Sequence, residues 1–257
     1  MSVNVFQAIF LGVIQGITEW LPVSSSGHLA LVQYFFGIGA SVELDILLHF
    51  GTLLAVIAYF RKDIHSLFSR FFVSLEERAL ATNILIAAVP TALIAFAFKD
   101  FFEALFLFPA ALGVAFIVTG VFLIIASKAR ERTKKISKEF AFAIGVAQGI
   151  SVAPGISRSG ATIGTAILLG IEKREAAKFS FLIGAIAVLG ASLFEGRHAV
   201  SSIDPPALIG ALVAAIVGYA SIAFLLRVLE RRGLRYFGYY CIFLGVAVLL
   251  SVTLLAF

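Results

Sequence analysis

Glu19, Ser24, Ser25, Ser26 and His28 fall within ten residues of otherwise apolar sequence, and Arg158 is the one charged residue between Glu139 and Glu172. Ionisable groups in apolar surroundings are costly and mark function by default. An imidazole with an unperturbed pKa of about 6.5 can serve as acid or base near neutrality. Gln15 and Glu19 stand four residues apart, on one helix face. Glu19 reads as a metal-linked or proton-handling acid, or as a structural acid paired to Arg158. The tract Ser24-Ser25-Ser26-Gly27 suits the start of a half-helix, where free N–H groups and the positive dipole end favour an anion. Arg158 carries a fork of donors matched to phosphate, and Ser157, Ser159, Thr162 and the backbone N–H groups around Gly160 would complete a cradle.

These two clusters occupy equivalent places in an internal repeat. Residues 12–27 (GVIQGITEWLPVSSSG) and 145–160 (GVAQGISVAPGISRSG) align without a gap at a shift of 133, with 8 of 16 positions identical. Glu19 faces Val152, Ser25 faces Arg158 and His28 faces Ala161. One copy holds the acid and the imidazole while the other holds the guanidinium, so the pair implies one composite site. The match Gln15/Gln148 points to a shared scaffolding hydrogen bond.

The elements that must position these groups are membrane helices. Of 257 residues, 61% are apolar and 14% charged, against about 25% charged in soluble domains. Six stretches are long and apolar enough to span a bilayer: about 42–60, 83–98, 105–126, 176–194, 206–228 and 236–257. Regions 3–38 and 139–171 are broken by the repeated Pro/Gly/Ser motifs. Non-helical backbone at membrane depth must be shielded by protein or line a cavity, so each reads as a re-entrant helix–loop–helix. Met1-Ser2-Val3-Asn4 has no basic region, and this start does not read as a cleaved signal peptide.

Charge supports that count. Loops 61–82 (Arg61, Lys62, Arg70, Arg78), 127–139 (Lys128, Arg130, Arg132, Lys134, Lys135, Lys138) and 229–235 (Arg231, Arg232, Arg235) are basic, whereas 99–104 and 195–205 are not. Six spans and two hairpins put every basic loop in the cytoplasm and both termini outside. The formal charge of +5 is thereby a topology signal, not a nucleic-acid footprint. Each half then holds one hairpin and three spans: 1–127 as the first repeat, 128–138 as a basic linker, and 139–257 as the second. Three is odd, so the second half is inverted, with the site near the midplane. Gly51/Gly184 and, after a one-residue slip, Gly113-Val114-Ala115/Gly245-Val246-Ala247 extend the repeat. Cys241 reads as a packed core residue, His49 as an outer partner of the site or a packed polar group, and His65 and His198 as solvated loop residues.

Over essentially its whole length the chain resembles the undecaprenyl-pyrophosphate phosphatase family, the integral-membrane type linked to bacitracin resistance. The resemblance rests on Gln15 and Glu19, on Pro22 to His28 (PVSSSGH), and on Pro154 to Thr162 (PGISRSGAT). It implies hydrolysis of a polyprenyl pyrophosphate, the lipid on which bacitracin acts, in the cell membrane at a site opening to the outer face. It also implies a divalent cation, Mg²⁺ or Ca²⁺, with Glu19 as candidate ligand and Gln15, which takes the glutamine option of the motif, as a lesser one. On that basis Ser25 is the candidate nucleophile and Arg158 stabilises the phosphoryl group, with Glu19 or His28 moving the proton; water activated by either is the alternative. Ser24, Ser26, Gly27, Ser157, Ser159, Gly160 and Thr162 are the candidate phosphate-binding residues. An oligomer is compatible with the sequence.

A lipid flippase or transporter is the competing class, since inverted repeats with broken helices are typical of transporters. The other membrane lipid-phosphatase pattern, PSGH followed by SR-x5-H, fails: Gly164 stands where its second histidine should be.

Overall fold

The computed structural model describes residues 3–37, 42–133, 135–199 and 204–255. Lys134, counted in the basic linker, and the side chain of His198 lie outside the described residues. The described residues form helices α1 (Val5–Thr18), α2 (Ser25–Phe36), α3 (Val42–Tyr59), α4 (Arg61–Ser69), α5 (Leu75–Ala97) and α6 (Lys99–Leu105), followed by α7 (Pro109–Ala126), α8 (Lys138–Ile150), α9 (Arg158–Leu168), α10 (Lys173–Ala199), α11 (Pro205–Arg232) and α12 (Arg235–Leu255). There is no strand among them, and one isolated bridge joins Thr133 to Ile171.

Both motif-bearing regions break where the sequence places the breaks. α1 stops at Thr18, ahead of Pro22, and α8 stops at Ile150, ahead of Pro154 and Gly155, whose φ of 84° is left-handed. Each following half-helix starts on the same device. Ser24 Oγ accepts from Gly27 N at 3.4 Å, and Ser157 Oγ accepts from Gly160 N at 3.0 Å. A hydroxyl one residue ahead of the helix satisfies a donor that the first turn leaves open.

Five helices (α5, α7, α10, α11, α12) are long and apolar enough to cross a bilayer. Leu44–Tyr59 and Arg61–Ser69 make a sixth if the two, bent by 71°, count as one span. The outward faces are apolar, with Phe6, Leu93, Leu212 and Phe243 more than 60% exposed. Such a surface matches lipid tails, not water, and the chain is a multi-pass membrane protein. α5 begins earlier than its apolar run because Ser74 caps it and Glu76 and Glu77 occupy its first turn. Hydropathy registers only the part meant for hydrocarbon.

Membrane helices approach closely through small residues, and here those approaches recur at a fixed shift. α1 lies on α11 with Gly12 against the Gly210 carbonyl and Gly16 against Val217. α8 lies on α5 with Gly145 against the Ala87 carbonyl and Gly149 against Ile94. Both partner pairs differ by the same 123 positions (210 − 87 and 217 − 94). α7 and α12 run against each other with Gly113 at the Gly245 carbonyl and Gly120 at the Gly238 carbonyl. A Cβ at Gly12 or Gly145 would meet backbone that has nowhere to go. Gly12→Val and Gly145→Val should each destabilise by about 1–3 kcal/mol or more, read as a lowered unfolding temperature in detergent.

The segment between α7 and α8 is tied down. Arg132 N and Thr133 N donate to the Gly170 carbonyl at 2.7 and 3.0 Å, and Glu172 N donates to the Thr133 carbonyl at 2.8 Å. Lys173 pairs with Glu131 at 2.8 Å, and that hydrogen-bonded ammonium holds the Glu131 carboxyl below its ordinary range. Asn83 Nδ2 donates to the Ile136 carbonyl at 2.7 Å.

Candidate active site

The two broken segments meet. Ser159 Oγ donates to the Leu21 carbonyl at 2.9 Å, and Arg158 Nη2 pairs with Glu19 Oε1. Glu19 is the hub of the contact, with a side chain only 3% exposed. Its other oxygen, Oε2, accepts from Ser25 Oγ at 2.6 Å and from Gln15 Nε2 at 3.0 Å. His49 Nε2 lies 3.6 Å from the same oxygen. His49 Nδ1 donates to the Asp45 carbonyl at 2.7 Å, which fixes the ring with Nε2 toward Glu19.

Arg158 is held from three sides. Trp20 lies under the guanidinium at 5.2 Å from the ring centre, a cation–π contact. Glu19 takes Nη2, while Nη1 is buried with no hydrogen-bond partner. Nη1 also sits where the Cβ of any larger residue at position 184 would stand, so Gly184 on α10 leaves the room the guanidinium fills.

A cavity of about 570 Å³ opens on this cluster. The first hairpin lines it with Glu19, Ser24, Ser25 and Ser26, the second with Gln148, Ser151, Ser157 and Arg158, and α3 adds Asp45 and His49. Asp45 Oδ1 accepts from Gln33 Nε2 at 3.0 Å. The rest of the wall combines apolar side chains, among them Phe106 with Ala187, Val188 and Ala191 of α10, with the polar Thr18, Gln33, Thr91 and Ser192. Serine hydroxyls, two carboxylates and a guanidinium in a volume that also carries apolar side chains suit an amphiphile with an anionic head.

Other residues singled out in the motifs surround the cavity without lining it. Thr162 Oγ1 accompanies Ser180 Oγ at 2.5 Å and donates to the Arg158 carbonyl at 2.8 Å. The Gly160 N–H is spent on the Ser157 cap, and Gly27 packs on Phe116 and Gly155. Gln15 supports Glu19 through Nε2, and its Oε1 is buried without a partner. His28 faces α7 and α12. Its Nδ1 donates to the Ser24 carbonyl at 2.7 Å, so in the neutral ring Nε2 accepts from Tyr240 Oη, also at 2.7 Å.

The sequence matches a known family. The model described as bacitracin resistance protein BacA covers residues 8–247. The chain belongs to the BacA family. Relatives named undecaprenyl-diphosphatase match along the whole length. That of Carboxydothermus hydrogenoformans is 42% identical over 257 residues, covering 96% of this chain and 97% of the relative. That of Halothermothrix orenii is 39% identical over 256 residues, covering 96% and 98%. That of the archaeon Korarchaeum cryptofilum is 37% identical over 259 residues, covering 96% and 98%.

Five contributors to the site carry little or no signal in sequence. Trp20 adjoins Glu19, yet nothing in an apolar motif sets one aromatic apart. His49, Asp45 and Gly184 arrive on α3 and α10, and only the Gly51/Gly184 match hints at the last. Tyr240 has no signal at all. As for a metal, no group of three or more His, Cys, Asp or Glu among the described residues is disposed to hold one. Two carboxylates, Glu19 and Asp45, do line the cavity. That donor set does not form a protein-only cage, but it suits a hard cation shared with phosphate oxygens, which typically uses one or two carboxylates.

Proposed function

We infer that the chain is an undecaprenyl-diphosphatase, hydrolysing undecaprenyl pyrophosphate to the monophosphate and inorganic phosphate and so recycling the lipid carrier of cell-wall and surface-glycan synthesis. The observation that carries this reading is the Ser25 hydroxyl donating to Glu19 in the cavity that also holds Arg158, in a chain whose relatives of that name match end to end.

The catalytic roles go to Ser25, Glu19 and Arg158. Ser25 Oγ attacks the terminal phosphorus and passes its proton to Glu19 Oε2, already 2.6 Å away. The P–O bond to the bridging oxygen breaks, and the prenyl monophosphate leaves. Protonating Glu19 weakens its hold on Arg158, which frees the guanidinium for the transferring phosphoryl oxygens as their charge develops. The departing monophosphate takes that proton from Glu19; water then attacks the phosphoserine with Glu19 as base, the Oγ–P bond breaks, and Glu19 returns the proton to Ser25 Oγ as phosphate is released. Ser24, Ser26 and Ser157 line the same volume, and the first turns of α2 and α9 add N–H donors for the phosphates. His28 acts through the Ser24 carbonyl it holds, and the proton transfer falls to Glu19. Glu19 and Asp45 are the residues that would hold a divalent cation, Mg²⁺ or Ca²⁺, and that cation would neutralise diphosphate charge.

The fold reading that goes with this is two inverted repeats, 1–127 and 139–257, joined by the 128–138 linker, each with one re-entrant hairpin and three spans. The matching glycine contacts of α1 on α11 and of α8 on α5, and the antiparallel approach of α7 and α12, support it. The three basic loops belong to the cytoplasm, both termini lie outside, and the site opens to the outer face of the cell membrane.

Purified protein in detergent should release phosphate from a polyprenyl pyrophosphate, and EDTA should suppress that release. Ser25→Ala should lower the rate by at least about 10³-fold, and acid quenching of the wild type during turnover should trap phosphoserine at Ser25. A lipid carrier without hydrolytic activity would release none, and full activity in Ser25→Ala would leave water as the nucleophile.

A further inference from the structure

The turn that presents Ser25 is held by an unusual conformation and by an unusual clasp. Ser24 has φ 67°, ψ 97°, the one left-handed non-glycine residue among the described residues. Such backbone costs about 1–3 kcal/mol and persists only where its surroundings over-determine it. Two donors converge on its carbonyl: His28 N at 3.2 Å and His28 Nδ1 at 2.7 Å. His28 is in turn fixed by Tyr240, stacked on it at 5.7 Å with 5° between planes and donating to Nε2, and by the edge of Phe116 at 5.3 Å.

The second hairpin is clasped at the same place by different chemistry. Thr119 Oγ1 of α7 lies 3.1 Å from the Gly155 carbonyl and 3.2 Å from Ser157 N, fixing the turn that presents Arg158. Each broken segment is thus reached by a polar side chain from another helix, α7 for the second and α12 for the first. Thr119 reaches backbone directly, whereas Tyr240 reaches it through His28.

We propose that Tyr240 is a positioning residue for the hydrolysis: its hydroxyl holds His28 in the Nδ1–H tautomer, which secures the Ser24 carbonyl and so keeps Ser25 Oγ aimed at Glu19. This rests on the phosphatase reading above. Tyr240 contacts no reacting atom, and it belongs to a helix that contributes no lining residue to the cavity. Its effect is on the fraction of chains with Ser25 in place, so it acts on turnover and not on substrate capture.

The test uses the full chain in detergent, with Pi release from a polyprenyl pyrophosphate as the readout. Tyr240→Phe keeps the ring and removes the hydroxyl. It should lower kcat about tenfold, leave KM within about twofold, and leave the unfolding temperature nearly unchanged, while Tyr239→Phe behaves as wild type. In a His28→Ala background Tyr240→Phe should add no further loss, because the path it acts through is already gone. A wild-type rate in Tyr240→Phe, a change confined to KM, a loss matched by a fall in unfolding temperature, or losses that add would each overturn the proposal. A wild-type protein that releases no phosphate would overturn the phosphatase reading itself; an active wild type beside an unaffected Tyr240→Phe overturns only the role of Tyr240.

Discussion

Arg158→Ala should abolish measurable phosphate release, with kcat/KM down by about 10³-fold, the effect of removing a preorganised charge partner from a developing oxyanion. The same change should also destabilise the fold, because it strands Glu19, whose side chain is 3% exposed, without its cation. Breaking a buried pair from one side typically costs about 3–5 kcal/mol. The two effects separate in a second variant. Arg158→Ala with Glu19→Gln removes the stranded charge, so the unfolding temperature should recover while activity stays lost. Arg158→Lys should not rescue the rate, since an ammonium cannot reproduce the planar fork over Trp20. Activity surviving in Arg158→Ala would remove the guanidinium from the mechanism.

Gly184→Ala should be nearly as damaging to catalysis, though it touches no ligand and adds one methyl group. That methyl would occupy the space of Arg158 Nη1, and the guanidinium must shift to admit it. Displacing a reacting group by about 1 Å can cost about 10²-fold. Gly190, on the same helix with open space around it, provides the control, and Gly190→Ala should leave the rate unchanged. Steady-state Pi release on both variants checks the claim. If Gly184→Ala keeps wild-type turnover, the guanidinium is not confined as described.

The hairpin breaks were legible in the chain because Pro22, Pro154 and Gly155 cannot continue a helix and Ser24 and Ser157 can begin one. The convergence of Glu19 with Arg158 was legible for a related reason: two lone charges in apolar sequence need each other or a ligand. What sequence could not rank was the two imidazoles. His28 sits inside the motif, so proximity along the chain favours it as the acid–base group. Yet its ring turns toward α12, and His49, twenty-one positions on, is the imidazole beside Glu19. A helix is a rod, and which of its faces meets a cavity depends on packing partners hundreds of residues away. α4 was hidden for a different reason: nine polar and apolar residues in a basic loop carry no span-length signal, and only the 71° bend after α3 reveals them as a helix.

The clasp on the first hairpin has a consequence for how the protein is made. His28 leaves the ribosome 212 residues ahead of its hydroxyl partner. At about 5–20 residues per second, that gap lasts roughly 10–40 s. Through this interval the Ser24 turn is without the Tyr240 contact and without the α12 thiol that lies 3.7 Å from the Pro22 carbonyl. Of the two segments that meet at the site, the one synthesised first is therefore clasped only once α12 has been inserted.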